Sequence, residues 1–306
     1  MGDLEDWTPV VEEIVDRVRR RLQAARSGRE EPCLPATSAP AAQVKAAPIP
    51  DCAPSCDICP VIDSCATVTG VRSGAARIAP DVVRTSADIA PFIDHTLLKP
   101  DATREEIVKL AEEARRFGFA TACVHSVHVG TVARILAGSK TIPIAVVGFP
   151  SGAALPSAKA FEAREAIRCG AREIDMVINI GALKGKDYAL VIKDICSVVD
   201  AAKPCPVKVI LETSKLTQQE KIIGSALAKA AGAAFVKTST GFGGGGATAE
   251  DVVLIRSVVG EDVGVKASGG IRTSADALRM IQAGANRIGA SASVAIVTGR
   301  SGSASY

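Results

Sequence analysis

Short apolar segments alternate with amphipathic segments from about residue 86 onward. Between the apolar segments lie patterns of helical periodicity, such as SAKAFEAREAIRCG and TQQEKIIGSALAKAAG. Eight segments are rich in β-branched residues and have the length of β-strands. They are Phe92–Leu98, Ala120–His125, Ile144–Phe149, Glu173–Asn179, Val207–Glu212, Ala234–Ser239, Gly264–Ser268 and Arg287–Ser291.

This alternation of strands and helices predicts an α/β fold with parallel strands. Eight units in roughly 210 residues favour a (β/α)8 TIM barrel, with an open doubly wound sheet as the alternative. In a barrel of this kind the catalytic residues lie at the carboxyl ends of the strands. Polar residues do concentrate at those ends here, from Asp94 on strand one to Lys266 on strand seven.

The chain ahead of the barrel has a different texture. Residues 1–24 have helical periodicity and predict an amphipathic helix, and residues 25–50 are rich in Ala, Pro and Ser and predict a linker. Residues 51–85 contain four cysteines. We expect the barrel to occupy residues 86–300 and a flexible tail to follow at 301–306.

Composition limits the functions to consider. The 306 residues are 47% hydrophobic and carry a formal net charge of +3, which is too small to indicate nucleic-acid binding. No apolar run is long enough to predict a membrane span, and the opening MGDLEDW lacks the features of a signal peptide. We therefore expect a cytoplasmic protein, in which nine cysteines suggest thiols or metal ligands rather than disulfides.

Lys237 and Lys266 occupy comparable positions in two consecutive predicted strands, VKTST and VKASG. Burial of an ammonium group is costly, and repulsion between two such groups lowers the pKa of one of them. A lysine that is neutral near pH 7 can form a Schiff base with a carbonyl substrate. The alternative is that each lysine reaches solvent or pairs with a carboxylate.

Asp175, within EIDMVIN, supplies a carboxylate on strand four. It could act only as an ion-pair partner of the lysines. We favour a proton relay, directly or through water, because enamine chemistry requires proton transfer at the carbon next to the imine.

The glycine tract Gly241–Gly246 matches the GxGxxG pattern, but no acid ends the following strand, so we reject dinucleotide binding. Glycines after strands six to eight instead suggest backbone N–H donors for a phosphate group, with ordinary loop glycines as the alternative. The candidates are Gly241, Gly269, Gly270, Gly289 and Ser291, with Arg272 adding positive charge.

The three histidines, His95, His125 and His128, lack the spacing of a metal site, so we expect no catalytic metal in the barrel. The cysteines of this region are expected to pack as small apolar residues, with Cys123 close to the site.

Several segments resemble the deoxyribose-phosphate aldolase family, and the likeness extends from residue 88 to about 298. They are IDHTLLKPDAT, VVGFPSGA, EIDMVINIGALKGKDY, KVILET, FVKTSTGF, GGAT, GVKASGGIR and AGANRIGAS. The resemblance implies a class I aldolase that needs no cofactor for catalysis. The implied reaction is reversible cleavage of 2-deoxy-D-ribose 5-phosphate to D-glyceraldehyde 3-phosphate and acetaldehyde.

The resemblance also implies roles for residues. Lys237 would form the Schiff base, Lys266 would perturb its pKa and assist proton transfer, and Asp175 would act as acid and base through water. Asp94 and Thr96 match polar positions of the family, and the glycines and Ser291 match its phosphate pocket. The predicted substrate-binding set is Asp94, Thr96, Cys123, Thr240, Gly241, Gly269, Gly270, Arg272, Gly289 and Ser291.

The chain departs from the family at three positions. His125 stands where Asn is frequent, Phe242 where some members have a basic residue, and Ala292 where some have a second serine. These departures concern contacts to the substrate and its phosphate rather than imine formation.

The N-terminal helix pattern is similar to encapsulation peptides, which direct enzymes into bacterial microcompartments. Such a helix would lay its apolar face on a shell or cargo protein, which would place the enzyme in the microcompartment lumen. The alternative is packing on its own barrel or on a sister subunit. The face consists of Leu4, Trp7, Val11, Ile14 and Val18.

Cys52, Cys56, Cys59 and Cys65 have the spacing Cys-x3-Cys-x2-Cys-x5-Cys. Four thiolates this close could hold Zn or an iron–sulfur cluster in a non-catalytic role, and free thiols are the alternative.

Two further hypotheses stand beside the aldolase. The first is a non-catalytic barrel that acts as a scaffold or sugar-phosphate sensor, and the second is an imine-forming aldolase with ketose-phosphate substrates. We expect a small sugar phosphate as ligand, no nucleic-acid or membrane partner, and a homo-oligomer.

Overall fold

A computed structural model of the protein describes Glu13, residues 78–79 and residues 82–300. Its eight strands are parallel and form a closed barrel in the order of the sequence. The strands are β1 (Ile93–Thr96), β2 (Thr121–His125), β3 (Ile142–Val147), β4 (Glu173–Val177), β5 (Val207–Ile210), β6 (Phe235–Lys237), β7 (Gly264–Ser268) and β8 (Arg287–Ala290).

Pairing between β1 and β8, with Asp94 opposite Gly289, closes the barrel. The predicted (β/α)8 fold is therefore confirmed, and the open-sheet alternative is wrong. Strand ends differ from the prediction by a few residues. For example, the predicted strand Ala234–Ser239 is observed as β6, Phe235–Lys237. The hydroxyl of the following residue, Thr238, donates to the carbonyl of Ser268 and accepts from its N–H.

Helices follow most strands and cover the outside of the barrel. They are α1 (Arg104–Phe117), α2 (Val129–Leu136), α3 (Pro156–Arg168), α4 (Ile180–Lys184), α5 (Tyr188–Ala202), α6 (Gln218–Ala230), α7 (Ala249–Val259), α8 (Ser274–Gln282) and α9 (Ser293–Val297). A 3-10 helix, Ser86–Phe92, precedes β1.

Local sequence sets where several helices begin. Thr103 accepts a hydrogen bond from the backbone N–H of Glu106, whose carboxylate accepts one from the N–H of Thr103. This reciprocal capping box satisfies N–H groups that have no partner within the helix. The same arrangement begins α6 (Thr217, Glu220) and α8 (Thr273, Asp276).

The apolar core lies between the barrel and the helices. Outward-facing strand residues such as Ile174, Val236 and Val265 are fully buried and belong to one cluster with helix residues such as Ile195 and Ile255. Because strand side chains alternate between faces, this arrangement leaves the other set of strand residues for the barrel interior. That interior holds the charged residues of the site.

Several predictions lie outside the described residues. They concern the helix at 1–24, the linker at 25–50, most of the segment at 51–85, the tail at 301–306, and Cys52, Cys56, Cys59 and Cys65. Within the part of the chain that the structure describes, no helix combines the length and apolar character needed to cross a bilayer.

Candidate active site

The barrel register brings the predicted lysines together. Lys237 on β6 lies opposite Lys266 on β7, and both side chains are buried in the barrel interior. Asp175 on β4 lies opposite Lys208 on β5 and is fully buried. Charged groups of four adjacent strands therefore meet inside the barrel, at the ends where TIM-barrel enzymes carry their chemistry.

Lys237 is 2% exposed, and its Nζ donates a hydrogen bond to Asp175 Oδ2 over 2.9 Å. Burial lowers the pKa of Lys237, the carboxylate of Asp175 opposes this shift, and the ammonium of Lys266 adds to it. The pKa of Lys237 therefore lies below the ordinary lysine value, as the sequence predicted. The main cause is loss of hydration rather than the neighbouring ammonium.

The pKa of Lys266 shifts in the opposite direction, although this lysine is also buried. Its Nζ lies 2.7 Å from Asp175 Oδ2 and 2.5 Å from Asp94 Oδ2. Burial alone favours the neutral amine, but the two carboxylates outweigh it and raise the pKa of Lys266 above the ordinary value. Lys266 is therefore a fixed cation beside a lysine that loses its proton more easily.

Asp175 is the shared acceptor of the site. Its Oδ2 accepts from Lys237 and Lys266, and its Oδ1 accepts from Lys208 Nζ over 3.0 Å. Burial alone would raise the pKa of Asp175, but the three lysines hold it well below its usual range. Without substrate, Asp175 is thus an ionised acceptor in contact with every lysine of the site.

Three charged residues of the interior were not singled out in the sequence. Lys208 pairs with Glu173 and Asp175 and lies 3.9 Å from Asp94 Oδ2. Arg287 donates to Asp94 Oδ1 over 2.7 Å and to Glu173 Oε2 over 3.3 Å. A signal was available, because Lys208 is flanked by Val207 and Val209 on an apolar strand, much as Lys266 stands between Val265 and Ala267.

The predicted polar residues of β1 and β2 lie beside this network. Asp94 is fully buried against Lys266 and Arg287, and the hydroxyl of Thr96 donates to the backbone carbonyl of Asp94 over 2.8 Å. Burial raises the pKa of the Cys123 thiol to about 11, so the thiol is uncharged at neutral pH. Cys123 packs with the apolar side chains of Leu98, Ile144 and Val146.

Thr240 follows β6 and is held by Glu212, which follows β5. Glu212 Oε2 accepts from both the backbone N–H and the hydroxyl of Thr240, and the hydroxyl oxygen accepts from the N–H of Phe242. Glu212 has a left-handed backbone (φ 60°) and is nearly fully buried. The sequence places Glu212 at the polar end of strand five but does not predict its contact with Thr240, which lies 28 residues away after another strand.

Close backbone contacts explain why glycines are present around the predicted phosphate pocket. A side chain at Gly246 would put its Cβ 2.5 Å from the carbonyl oxygen of Gly269, and one at Gly289 would put it 2.1 Å from Ser268 Oγ. Gly269 itself has a φ of +90°, which favours glycine. The tract after β6 therefore packs tightly against the end of β7.

The remaining members of the predicted pocket lie at the same barrel end. Gly241 and Gly270 have positive φ, and Ser291 directly follows β8. Arg272 is exposed, and its backbone N–H donates to Asp276 at the start of α8. These positions surround the ends of β6, β7 and β8.

Two of the departures from the family pattern meet at the mouth of the barrel. The ring of Phe149 makes edge-to-face contacts with His125 on one side and with Phe242 on the other. His125 Nε2 lies 3.0 Å from the carbonyl oxygen of Leu98. An aromatic row of His125, Phe149 and Phe242 therefore includes two of the positions at which the sequence departs from the family pattern.

Among the described residues, no group of three or more His, Cys, Asp or Glu side chains is arranged to hold a metal ion.

A buried lysine whose pKa is lowered, at the catalytic end of a (β/α)8 barrel and beside a second cation, is suited to forming a Schiff base with a carbonyl substrate. The sequence model of the DeoC/LacD family aldolases matches residues 89–304. The chain belongs to this aldolase family.

Individual relatives agree with this assignment. Deoxyribose-phosphate aldolase of Listeria welshimeri is 58% identical over 212 residues, which cover 69% of this chain and 95% of that protein. The enzyme of the same name from Halalkalibacterium halodurans is 56% identical over 223 residues, which cover 72% and 100%. The solved structure of deoxyribose phosphate aldolase from Aeropyrum pernix, described as a unique tetramer, has a TM-score of 0.67 and 31% identity, and it covers 75% and 96%.

Proposed function

We propose that the protein catalyses reversible aldol cleavage of 2-deoxy-D-ribose 5-phosphate to D-glyceraldehyde 3-phosphate and acetaldehyde. The observation that carries this proposal is the buried Lys237, whose pKa is lowered beside the fixed cation Lys266. The names of the relatives support the same substrate.

In the proposed reaction, the Lys237 amine adds to C1 of the open-chain sugar, and loss of water gives an iminium ion. The C3 hydroxyl then loses its proton, the C2–C3 bond breaks, and its electron pair moves toward the iminium nitrogen to form an enamine. Glyceraldehyde 3-phosphate leaves. Protonation of C2 and hydrolysis of the iminium ion release acetaldehyde and restore the amine, so no oxidant, metal or other cofactor takes part.

The charged neighbours have distinct proposed roles. Lys266, held as a cation by Asp94 and Asp175, helps to keep the Lys237 amine neutral and assists proton transfer. Asp175 moves protons to and from the reacting carbon and hydroxyl through water. When Lys237 is converted to an iminium ion, Asp175 retains a cationic neighbour, so the same hydrogen-bonding frame suits both states.

The rest of the predicted set is proposed to bind the substrate. Backbone N–H groups at the ends of β6, β7 and β8 would hold the phosphate, with Arg272 adding charge. Thr96 and Thr240 would shape the sugar subsite through their bonds to Asp94 and Glu212, and Cys123 would line the two-carbon end. The phosphate residues are Gly241, Gly269, Gly270, Gly289 and Ser291.

The deciding experiment is reduction with borohydride in the presence of acetaldehyde. We expect a reduced two-carbon adduct on Lys237, found by peptide mass spectrometry, and loss of cleavage activity in Lys237→Leu. Lys109→Leu is the control, because this lysine is solvent-exposed on α1. Cleavage by Lys237→Leu at the wild-type rate would overturn the mechanism.

The same experiment separates the other functions. Activity on ketose phosphates, with an adduct on Lys237, would indicate an aldolase of different substrate range. No adduct and no cleavage, with sugar phosphate still bound, would indicate a sensor or scaffold. We favour the aldolase, because a binding protein has no need of a lysine with a lowered pKa.

Assembly and location are also proposals. The tetramer described for the Aeropyrum pernix relative supports a homo-oligomer, and Val127, Leu155 and Phe161 are large apolar side chains exposed on the described surface. We propose a cytoplasmic enzyme that the helix predicted at 1–24 directs to a microcompartment shell or cargo protein. Zn or an iron–sulfur cluster at Cys52, Cys56, Cys59 and Cys65 likewise stays a prediction.

A further inference from the structure

The barrel interior contains more bases than acids. It holds four basic side chains, Lys208, Lys237, Lys266 and Arg287, and three carboxylates, Asp94, Glu173 and Asp175. With all seven ionised the net charge is 4 − 3 = +1. Loss of one proton from one base gives a neutral network, which burial favours.

The contacts decide which base gives up its proton. Lys208 and Lys266 each approach at least two carboxylates, and Arg287 pairs with both Asp94 and Glu173. Lys237 contacts only one of the three, Asp175, and shares it with the other two lysines. Its ammonium is therefore the least compensated of the four.

One part of the network, formed by Arg287 and Glu173, lies away from Lys237. Arg287 stacks its guanidinium 5.3 Å from the centre of the Phe235 ring, and Lys208 Nζ lies 5.7 Å from the same centre. Phe235 fits there because position 264 is glycine; a Cβ at Gly264 would lie 2.1 Å from the ring. Arg287 and Glu173 touch Asp94 or Lys208, and neither forms an ion pair with Lys237 among the described contacts.

We propose that Arg287 and Glu173 are positioning residues that set the charge balance of the barrel interior, and thereby the protonation of Lys237, without touching it. This inference rests on the proposed Schiff-base function of Lys237. It extends the site from Lys237, Lys266 and Asp175 to two further charged residues, Arg287 and Glu173.

Other groups lie near this network without joining it. Cys123 on β2 is an uncharged thiol, and β3 contributes the apolar Ile144 and Val146. The buried carboxylate of Glu212, which follows β5, bonds to Thr240 and forms no ion pair with the four bases among the described contacts. The charged groups that the other strands contribute to the interior are Asp94 (β1), Glu173 and Asp175 (β4), Lys208 (β5), Lys266 (β7) and Arg287 (β8), and of these Asp175 forms an ion pair with Lys237.

The count predicts opposite effects from two neighbouring substitutions. Arg287→Gln removes a cation and leaves 3 − 3 = 0 with Lys237 charged, so Lys237 should hold its proton to a higher pH. Glu173→Gln removes an anion and leaves 4 − 2 = +2, so Lys237 should lose its proton at a lower pH. The double variant returns to 3 − 2 = +1 and should behave like the wild type.

The measurement is the pH midpoint of Lys237 reactivity in the full-length protein. Formaldehyde with cyanoborohydride methylates neutral amines, and peptide mass spectrometry reads the rate at Lys237 alone. We expect midpoints shifted by about one pH unit in opposite directions in the single variants, and restored in the double variant. Arg287→Lys keeps the charge and should keep the wild-type midpoint.

A merely structural role would lower activity in both single variants without moving the midpoints in opposite directions. Equal or absent shifts would therefore overturn the inference. If Arg287→Gln does not fold, Glu173→Gln alone decides, because its amide has nearly the size of the carboxylate. Failure of the proposed function appears separately, as absence of the acetaldehyde adduct in the wild type while the methylation midpoints still respond.

Discussion

Lys237 and Lys266 lie opposite each other in the β6–β7 register and donate hydrogen bonds to the same oxygen of Asp175, yet their pKa values move in opposite directions. The difference arises from Asp94, which contacts Lys266 and not Lys237. The additional carboxylate of Asp94 thus accounts for the difference between Lys237, which can act as a nucleophile, and Lys266, which stays a cation.

Replacement of Lys266 by Met should lower kcat/KM by about a thousandfold, because a group that assists proton transfer is lost. The same change leaves Asp94 and Asp175 with one partner fewer, so Lys237 should hold its proton more strongly. The acid limb of the pH–rate profile should move to higher pH. A profile that keeps the wild-type midpoint would contradict this account of Lys266.

The lowered pKa of Lys237 makes folding stability depend on pH. Between that lowered value and the ordinary lysine value, the unfolded chain binds a proton that the native protein does not, so the free energy of unfolding rises with pH. The slope is at most about 1.4 kcal/mol per pH unit. The variant Lys237→Met lacks this contribution to the pH dependence of the free energy of unfolding.

Denaturant unfolding of both proteins across this range tests the relation. The wild type should gain stability relative to Lys237→Met as pH rises through the window. A constant difference would mean that Lys237 titrates normally in the native state.

Phe242 offers a test of phosphate recognition. It is 41% exposed and packs on Phe149 next to the glycine tract, where some family members carry a basic residue. Phe242→Lys should lower KM for 2-deoxyribose 5-phosphate by a few-fold and leave the unphosphorylated sugar unchanged, because an ammonium near the phosphate adds a partly screened attraction.

Phe161→Lys on α3 is the matched control, since Phe161 is 59% exposed and is not among the residues proposed to bind phosphate. An equal gain in both variants would assign the effect to overall charge.

The close approach of Gly246 to Gly269 makes a second test of the pocket. In Gly246→Ala the new methyl would meet the carbonyl oxygen of Gly269 at 2.5 Å, so the tract must move. We expect KM for the phosphorylated substrate to rise about tenfold, with kcat less affected. Gly130→Ala on α2 has room for its Cβ and should leave KM unchanged.

Metal and sulfide analysis of anaerobically purified protein tests the cysteine prediction. Full-length protein is compared with a variant in which Cys52, Cys56, Cys59 and Cys65 are replaced by Ser. Zinc or iron with acid-labile sulfide, lost in the variant, would identify a site. Equal metal content in both would leave the cysteines as thiols, and aldolase activity should be the same in both cases.

Sequence patterns predicted the barrel because short apolar strands alternate with segments of helical periodicity, such as the one that becomes α6. Lys237 and Lys266 were predicted because a lysine in an apolar strand has few explanations. Arg287 was not, since the first residue of a strand looks like a solvated end until closure of the barrel brings it to Asp94.

The contact of Glu212 with Thr240 escaped prediction for a related reason. It joins two loops that follow the neighbouring strands β5 and β6, and nothing in the local sequence couples them. Periodicity reports which face a residue occupies, whereas a contact between two loops depends on the register of the strands that carry them.

The junction of β1 with β8 joins Asp94, near the start of the barrel, to Arg287, near its end. A nascent chain that has left the ribosome only as far as β7 already contains Lys237, Lys266 and Asp175, but it lacks the strand that pairs with β1. The complete charge network can therefore assemble only after almost the whole barrel has been synthesised. A truncated translation product would carry the lysines without the surroundings that tune them, so aldehyde chemistry should begin only with the finished chain.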